Sequence, residues 1–86
     1  MPTISAFYGI LIRMFFNDHA PPHFHALYGE FQATIDIESL DVLEGELPKR
    51  ALRLVIEWAE LNRRELLEDW ELCRQMQQPY KIDPLT

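Results

Sequence analysis

The chain has 86 residues, 48% of them hydrophobic and 26% charged, and a formal net charge of −6. That length suits one domain, 1–86, and the apolar share is that of a globular protein rather than a disordered one. Fourteen acidic residues against eight basic ones argue against general DNA binding, because neutralising phosphates supplies most non-specific affinity. The single cysteine, Cys73, excludes an internal disulfide and points to a reducing, cytoplasmic setting.

The first apolar run, from Ala6 to Phe16, is interrupted by Arg13 and followed by Asn17-Asp18-His19. It lacks the flanks of a signal peptide and falls short of the roughly 18–20 residues that a spanning helix needs, so no membrane role is expected. Its β-branched and aromatic content predicts a strand from about Ile10 to Phe16. Pro21-Pro22 then breaks the ladder, since neither proline has a backbone N–H to donate.

Strands are predicted next from His23 to Tyr28 and from Phe31 to Ile37. The Gly29-Glu30 pair between them suits a two-residue type II′ turn. That turn sets the register: Tyr28 faces Phe31, Ala26 faces Ala33 and Phe24 faces Ile35. The alternate set pairs Leu27 with Gln32, His25 with Thr34 and His23 with Asp36. One face is then apolar, and the other carries two histidines, an amide, a hydroxyl and a carboxylate. A slip of one residue would mix the two sets, so the pattern protects its own register. Opposed Cβ atoms lie about 4.5–5.5 Å apart, which predicts a His23–Asp36 hydrogen bond.

A short fourth strand is predicted from Asp41 to Glu44. Pro48 then opens a helical half in which Leu52, Val55, Trp58, Ala59, Leu66, Trp70 and Cys73 form an apolar stripe. One helix of about 30 residues would be about 45 Å long, too long for so small a domain. Two helices are expected, about Pro48–Leu61 and Arg63–Gln77, with Asn62-Arg63-Arg64-Glu65 spaced as a capping box. One long bent helix packed in a homodimer is the alternative. The tail, 78–86, is extended, and Tyr80-Lys81-Ile82-Asp83 alternates as a strand added to a sheet edge would. The expected fold is therefore α+β: a three- to four-stranded antiparallel sheet with the helical half on its apolar face. Both tryptophans read as core, with Trp70 marking an interface if the sheet offers no room for it.

The chemistry concentrates in His19, His23 and His25, with Asp18 and Asp36 as candidates to join them. Two site readings stay open beside a plain solvated face. In a small phosphoesterase or ribonuclease, His23 oriented by Asp36 would be the general acid or base, with His25 or His19 as its partner. As a metal site, His19, His23 and His25 would ligate a transition metal such as zinc. Lys49, Arg50 and Arg53, at a helix start, are candidates to hold a phosphate, RNA or an acidic partner surface. His23-Phe24-His25 followed by Glu30 resembles part of the cupin metal motif, but a cupin needs about eight strands in two sheets.

The whole chain resembles the bacterial and archaeal domain-of-unknown-function family numbered 4160. The resemblance is carried by Met1-Pro2-Thr3-Ile4-Ser5, Phe7-Tyr8-Gly9-Ile10, Asn17-Asp18-His19-Ala20-Pro21-Pro22-His23-Phe24-His25 and Ala33-Thr34-Ile35-Asp36-Ile37. It continues through Leu43-Glu44-Gly45, the stretch from Arg50 to Leu61, and Glu65-Leu66-Leu67-Glu68-Asp69-Trp70. Asn62 stands where similar proteins commonly have histidine. The resemblance implies a gene neighbour encoding another small protein. That points to an interaction protein, one half of a toxin–antitoxin-like or regulatory pair, working through its sheet edge or outer helix.

Overall fold

The structure, a computed structural model, describes residues 2–86. Five antiparallel strands run in chain order across one sheet: β1 Thr3–Phe7, β2 Ile10–Arg13, β3 His23–Tyr28, β4 Phe31–Asp36 and β5 Val42–Glu46. Two helices follow, α1 Lys49–Leu61 and α2 Arg63–Arg74. The fold is α+β, with five strands rather than three or four. The additional one is β1, which pairs with β2 through a Tyr8-Gly9 turn. Both turn residues have positive φ, 50° and 80°, as a type I′ hairpin requires. A tyrosine in that position carries none of the usual Asn-Gly signal, which is why the strand is hidden in the sequence.

The strand expected from Ile10 to Phe16 ends at Arg13. Beyond it the Met14 N–H donates to Pro2 O at 3.2 Å and the Asn17 N–H to Cys73 O at 2.9 Å. The chain thus leaves the sheet and docks on the end of α2. The β3–β4 register is the expected one, from His23 opposite Asp36 to Tyr28 opposite Phe31. Gly29 takes φ 58°, the value the first position of a type II′ turn demands. β5 begins one residue late and runs on to Glu46, with an irregularity in its pairing to β4 between Thr34 and Ile35. Gly45 (φ 77°) is required there, because a Cβ would collide with the Gln32 carbonyl.

Phe24, Ala26, Ala33 and Ile35 point to the helices and join Ile10, Ile12, Val55, Trp58, Leu66 and Trp70 in one buried cluster. Trp58 anchors it, fully buried, with its ring 5.3 Å from Phe7 and 5.9 Å from Phe24. The helix break falls at Asn62, which has φ −125°. The expected capping box is not formed: the Asn62 side chain makes no cap bond to α2 and donates instead to Trp58 O at 2.8 Å. Arg63 Nε donates to Ile37 O at 3.1 Å, tying the start of α2 to the end of β4. α2 stops at Arg74, three residues before Gln77, in a run of bonds back to Glu71, Leu72 and Cys73.

The tail forms no regular strand, but it closes the β1 edge. The Ile82 N–H donates to Ile4 O at 2.7 Å, Lys81 Nζ reaches Thr3 O at 2.7 Å, and Trp58 Nε1 donates to Asp83 O at 2.8 Å. Trp70 is buried at 5% exposure, so it is core and marks no interface. Among the described residues, no helix is long and apolar enough to cross a membrane.

Candidate functional site

The face of the sheet opposite Phe24 and Ala26 carries the polar row, and its His23 end reaches Trp70 of α2. Successive residues of a strand project to opposite faces, so the alternation that buries Phe24 and Ala26 lifts His23 and His25 to this side. The loop after β2 then folds back over the row and delivers Asp18. One ligand atom each from Asp18, His23 and His25 lies within 4.8 Å of the others.

Asp18 Oδ2 is the hub. It stands 2.9 Å from His23 Nε2 and 3.6 Å from His25 Nε2. The second distance is too long for a hydrogen bond, which leaves His25 Nε2 buried without a partner among the described residues. The remaining ring nitrogens are held from behind. His23 Nδ1 lies 2.6 Å from Pro21 O, and His25 Nδ1 lies 3.3 Å from Thr34 Oγ1. Phe15 stacks on the His25 ring at a centroid distance of 4.1 Å, and Trp70 of α2 packs 5.0 Å from His23. Neither ring is free to turn.

The electrostatics follow from these contacts. Burial pushes the Asp18 carboxyl upward, but the His19 backbone N–H and the His23 and His25 rings outweigh it and hold Asp18 below the usual carboxylate range. Burial, reinforced by the charge of His23, pulls His25 below the ordinary imidazole value, against the opposing carboxylates of Asp18 and Glu44. The site thus favours an ionised Asp18 beside a neutral His25.

His23 poses the sharpest question. Its Nδ1 faces a carbonyl oxygen and its Nε2 faces a carboxylate oxygen, and both of those groups only accept. A neutral imidazole has one N–H, so it can donate to only one of these two acceptors.

Two sequence expectations are corrected here. Asp36 lies opposite His23 in the ladder but does not bond to it. Its Oδ1 accepts the Glu38 and Ser39 N–H groups at 2.8 and 2.9 Å, because a local turn outcompetes the cross-strand partner. His19 meets the cluster only from outside: its Nδ1 lies 3.3 Å from Asp18 Oδ1, but its side chain is 94% exposed, its ring lies 6.4 Å from His23, and it is not one of the three residues whose ligand atoms converge. Asp18 takes the place expected of each.

Lys49, Arg50 and Arg53 lie elsewhere, exposed at the start of α1. Lys49 and Arg53 border a groove with Leu52, Ile56 and Glu57, whereas Arg50 borders another with Tyr8 and Tyr28. None of them lines the histidine groove, a hollow of about 410 Å³ bounded by Phe15, Asp18, His19, Thr34, Leu43 and Glu44 along with His23 and His25. Phe15, Leu43 and Trp70 carry no sequence signal for this role, since packing alone brings them to it. Thr34 was legible as the residue opposite His25.

Fold and site together define a small α+β protein with two histidines and one aspartate gathered on the side of its sheet opposite Phe24 and Ala26. The family described as Domain of unknown function (DUF4160) matches residues 9–71, and the chain belongs to it. The matched stretch contains all three site residues. No curated protein and no solved structure matches the chain.

Proposed function

We propose that the protein binds a divalent transition-metal ion through Asp18 Oδ2, His23 Nε2 and His25 Nε2. The observation that carries this reading is the pair of nitrogens aimed at one carboxylate oxygen, one buried without a partner and the other backed by an acceptor. Zinc ligands at 2.0–2.2 Å in tetrahedral geometry stand about 3.3 Å from one another. The distances of 2.9 and 3.6 Å bracket that value. Metal-bound histidines characteristically donate their other N–H to a carbonyl, carboxylate or similar acceptor, the role that Pro21 O and Thr34 Oγ1 would fill here.

Three protein ligands leave a position open, and here it would face the groove. A zinc ion bound this way supplies a water of lowered pKa. The lining argues against the alternative of a metal-free phosphoesterase or ribonuclease. Asp18 and Glu44 border the groove and no lysine or arginine does, so a phosphate would meet two carboxylates with no lysine or arginine to hold it. A place in a two-protein, toxin–antitoxin-like or regulatory module rests on what the family resemblance implies, and a metal centre is compatible with it.

The test is calorimetric titration of chelator-treated protein with zinc, cobalt(II), nickel(II), iron(II) and manganese(II). One equivalent should bind. Asp18→Ala and His25→Ala should each weaken binding by more than the roughly 10–100-fold typical of losing an outer hydrogen-bond partner, whereas His19→Ala should leave it nearly unchanged. Absence of binding for all five ions, or binding indifferent to Asp18 and His25, would overturn the assignment.

A further inference from the structure

The two edges of the sheet are finished in opposite ways. The β1 edge is met by the chain's own tail, through the Ile82–Ile4 backbone bond and the Lys81 side chain on Thr3 O, and Ile82 is 3% exposed. β5 has only β4 beside it, and among the described residues no other backbone bonds to Val42–Glu46. Every residue of β5 is exposed, Val42 at 38% and Leu43 at 47%.

An open strand edge is a template for another strand, and proteins commonly blunt such edges with charge or cover them. β5 does carry charge, but all of one sign: Asp41 precedes it, and Glu44 and Glu46 lie within it. None of the three is paired with a basic side chain among the described residues. The charges are also sorted by face. Glu44 and Glu46 stand opposite Thr34 and Gln32, on the histidine side, whereas Val42 stands opposite Ile35, on the apolar side. A second copy paired here would bring glutamates against glutamates, which destabilises cross-strand neighbours. A strand with basic residues on one face and apolar residues on the other would meet complementary groups on both.

We infer that β5 accepts, by strand addition, an extended segment of a partner protein in which lysine or arginine alternates with apolar residues. Main-chain hydrogen bonds would supply affinity and the alternating side chains specificity. The position has a consequence for the site. The pairing irregularity in β5 turns both Leu43 and Glu44 to the rim of the histidine groove. The docked segment therefore runs along that rim, with its basic face toward Asp18 and Glu44.

The test is an amide NMR titration with a blocked hexapeptide alternating lysine and valine, beside the same peptide with glutamate replacing lysine. The lysine peptide should shift the amides of Val42–Glu46 and their β4 neighbours. The glutamate peptide should bind at least roughly tenfold more weakly, since like charges across an interface suppress association. The double variant Glu44→Lys, Glu46→Lys should reverse that preference. Both side chains are exposed, and a dispersed amide spectrum checks that the variant is folded. The inference fails if millimolar lysine peptide leaves β5 unshifted, if the shifts centre on another element, or if the two peptides bind alike. Concentration-dependent β5 shifts without peptide, with a dimer in sedimentation, would overturn it in favour of a second copy.

Discussion

β3 has two faces with opposite construction. Underneath, Phe24 and Ala26 are completely buried against the helices and make only apolar contacts. On top, His23 is buried and His25 half-buried, yet each contact there is polar or aromatic and one nitrogen has no partner among the described residues. Apolar burial contributes roughly 25 cal/mol per Å², whereas a buried polar atom without a partner costs about 1–3 kcal/mol. The lower face therefore stabilises the fold, and the upper one draws on that stability to hold a site. Substitutions should separate the two roles.

The largest effect belongs to the lower face. Trp58→Ala removes the ring that touches Phe7 and Phe24 and the indole N–H that holds Asp83 O. A cost of about 3–5 kcal/mol is expected for emptying such a position, read as a lowered denaturation midpoint in urea. His25→Ala should cost only about 1 kcal/mol while removing metal binding. Equal losses of stability from the two changes would erase the distinction between the faces.

The lower face was also the more legible in the sequence. Alternation and the Gly29-Glu30 turn determine the β3–β4 pairing residue by residue, because a slip would bury histidine and expose phenylalanine. The length of the helical half likewise favoured a break over one long helix, and the break falls at Asn62. β1 escaped because a tyrosine occupies a turn position that usually announces itself with asparagine or glycine. In the site, His23 and His25 follow from period two, but the choice of Asp18 over Asp36 does not. Asp36 is the nearer neighbour in the ladder, and only the turn that consumes its carboxylate removes it. The loop that returns Asp18 is irregular, and no periodicity encodes its path.

An intermediate effect comes from a charge placed on the wrong side of this division. Asp69 of α2 is 1% exposed; its Oδ1 accepts the Tyr80 N–H at 2.9 Å and its Oδ2 has no partner among the described residues. Burial, with Glu65 and Glu68 adding repulsion against the help of the Tyr80 N–H, pushes its pKa up to about 6 from 3.8. The folded protein thus holds this proton more tightly than the unfolded chain does. The Asp69 contribution is most favourable below about pH 4, declines as pH rises toward 6, and is flat above. Asp69→Asn keeps the acceptor for Tyr80 and removes the charge. It should match the parent near pH 4 and exceed it by roughly 1–3 kcal/mol at pH 7, as measured by urea denaturation across that range. A difference that does not change with pH would show that the carboxyl titrates alike in the folded and unfolded chains.

The smallest effect tests how finely the upper face is built. Thr34 Oγ1 is set against His25 Nδ1 at 3.3 Å, and on the metal reading it fixes which nitrogen points to Asp18. Thr34→Val removes that hydroxyl and keeps the branched shape that strands favour, so stability should move by less than about 1 kcal/mol. Metal affinity should still fall about tenfold, the lower end of what losing an outer partner costs a ligating histidine. Calorimetric titration of the variant beside His25→Ala separates the contributions. Unchanged affinity in the valine variant, with binding abolished in His25→Ala, would assign the orientation of the ring to the Phe15 stack alone. A fall in affinity at constant stability would show that the hydroxyl serves the site and adds little to the sheet.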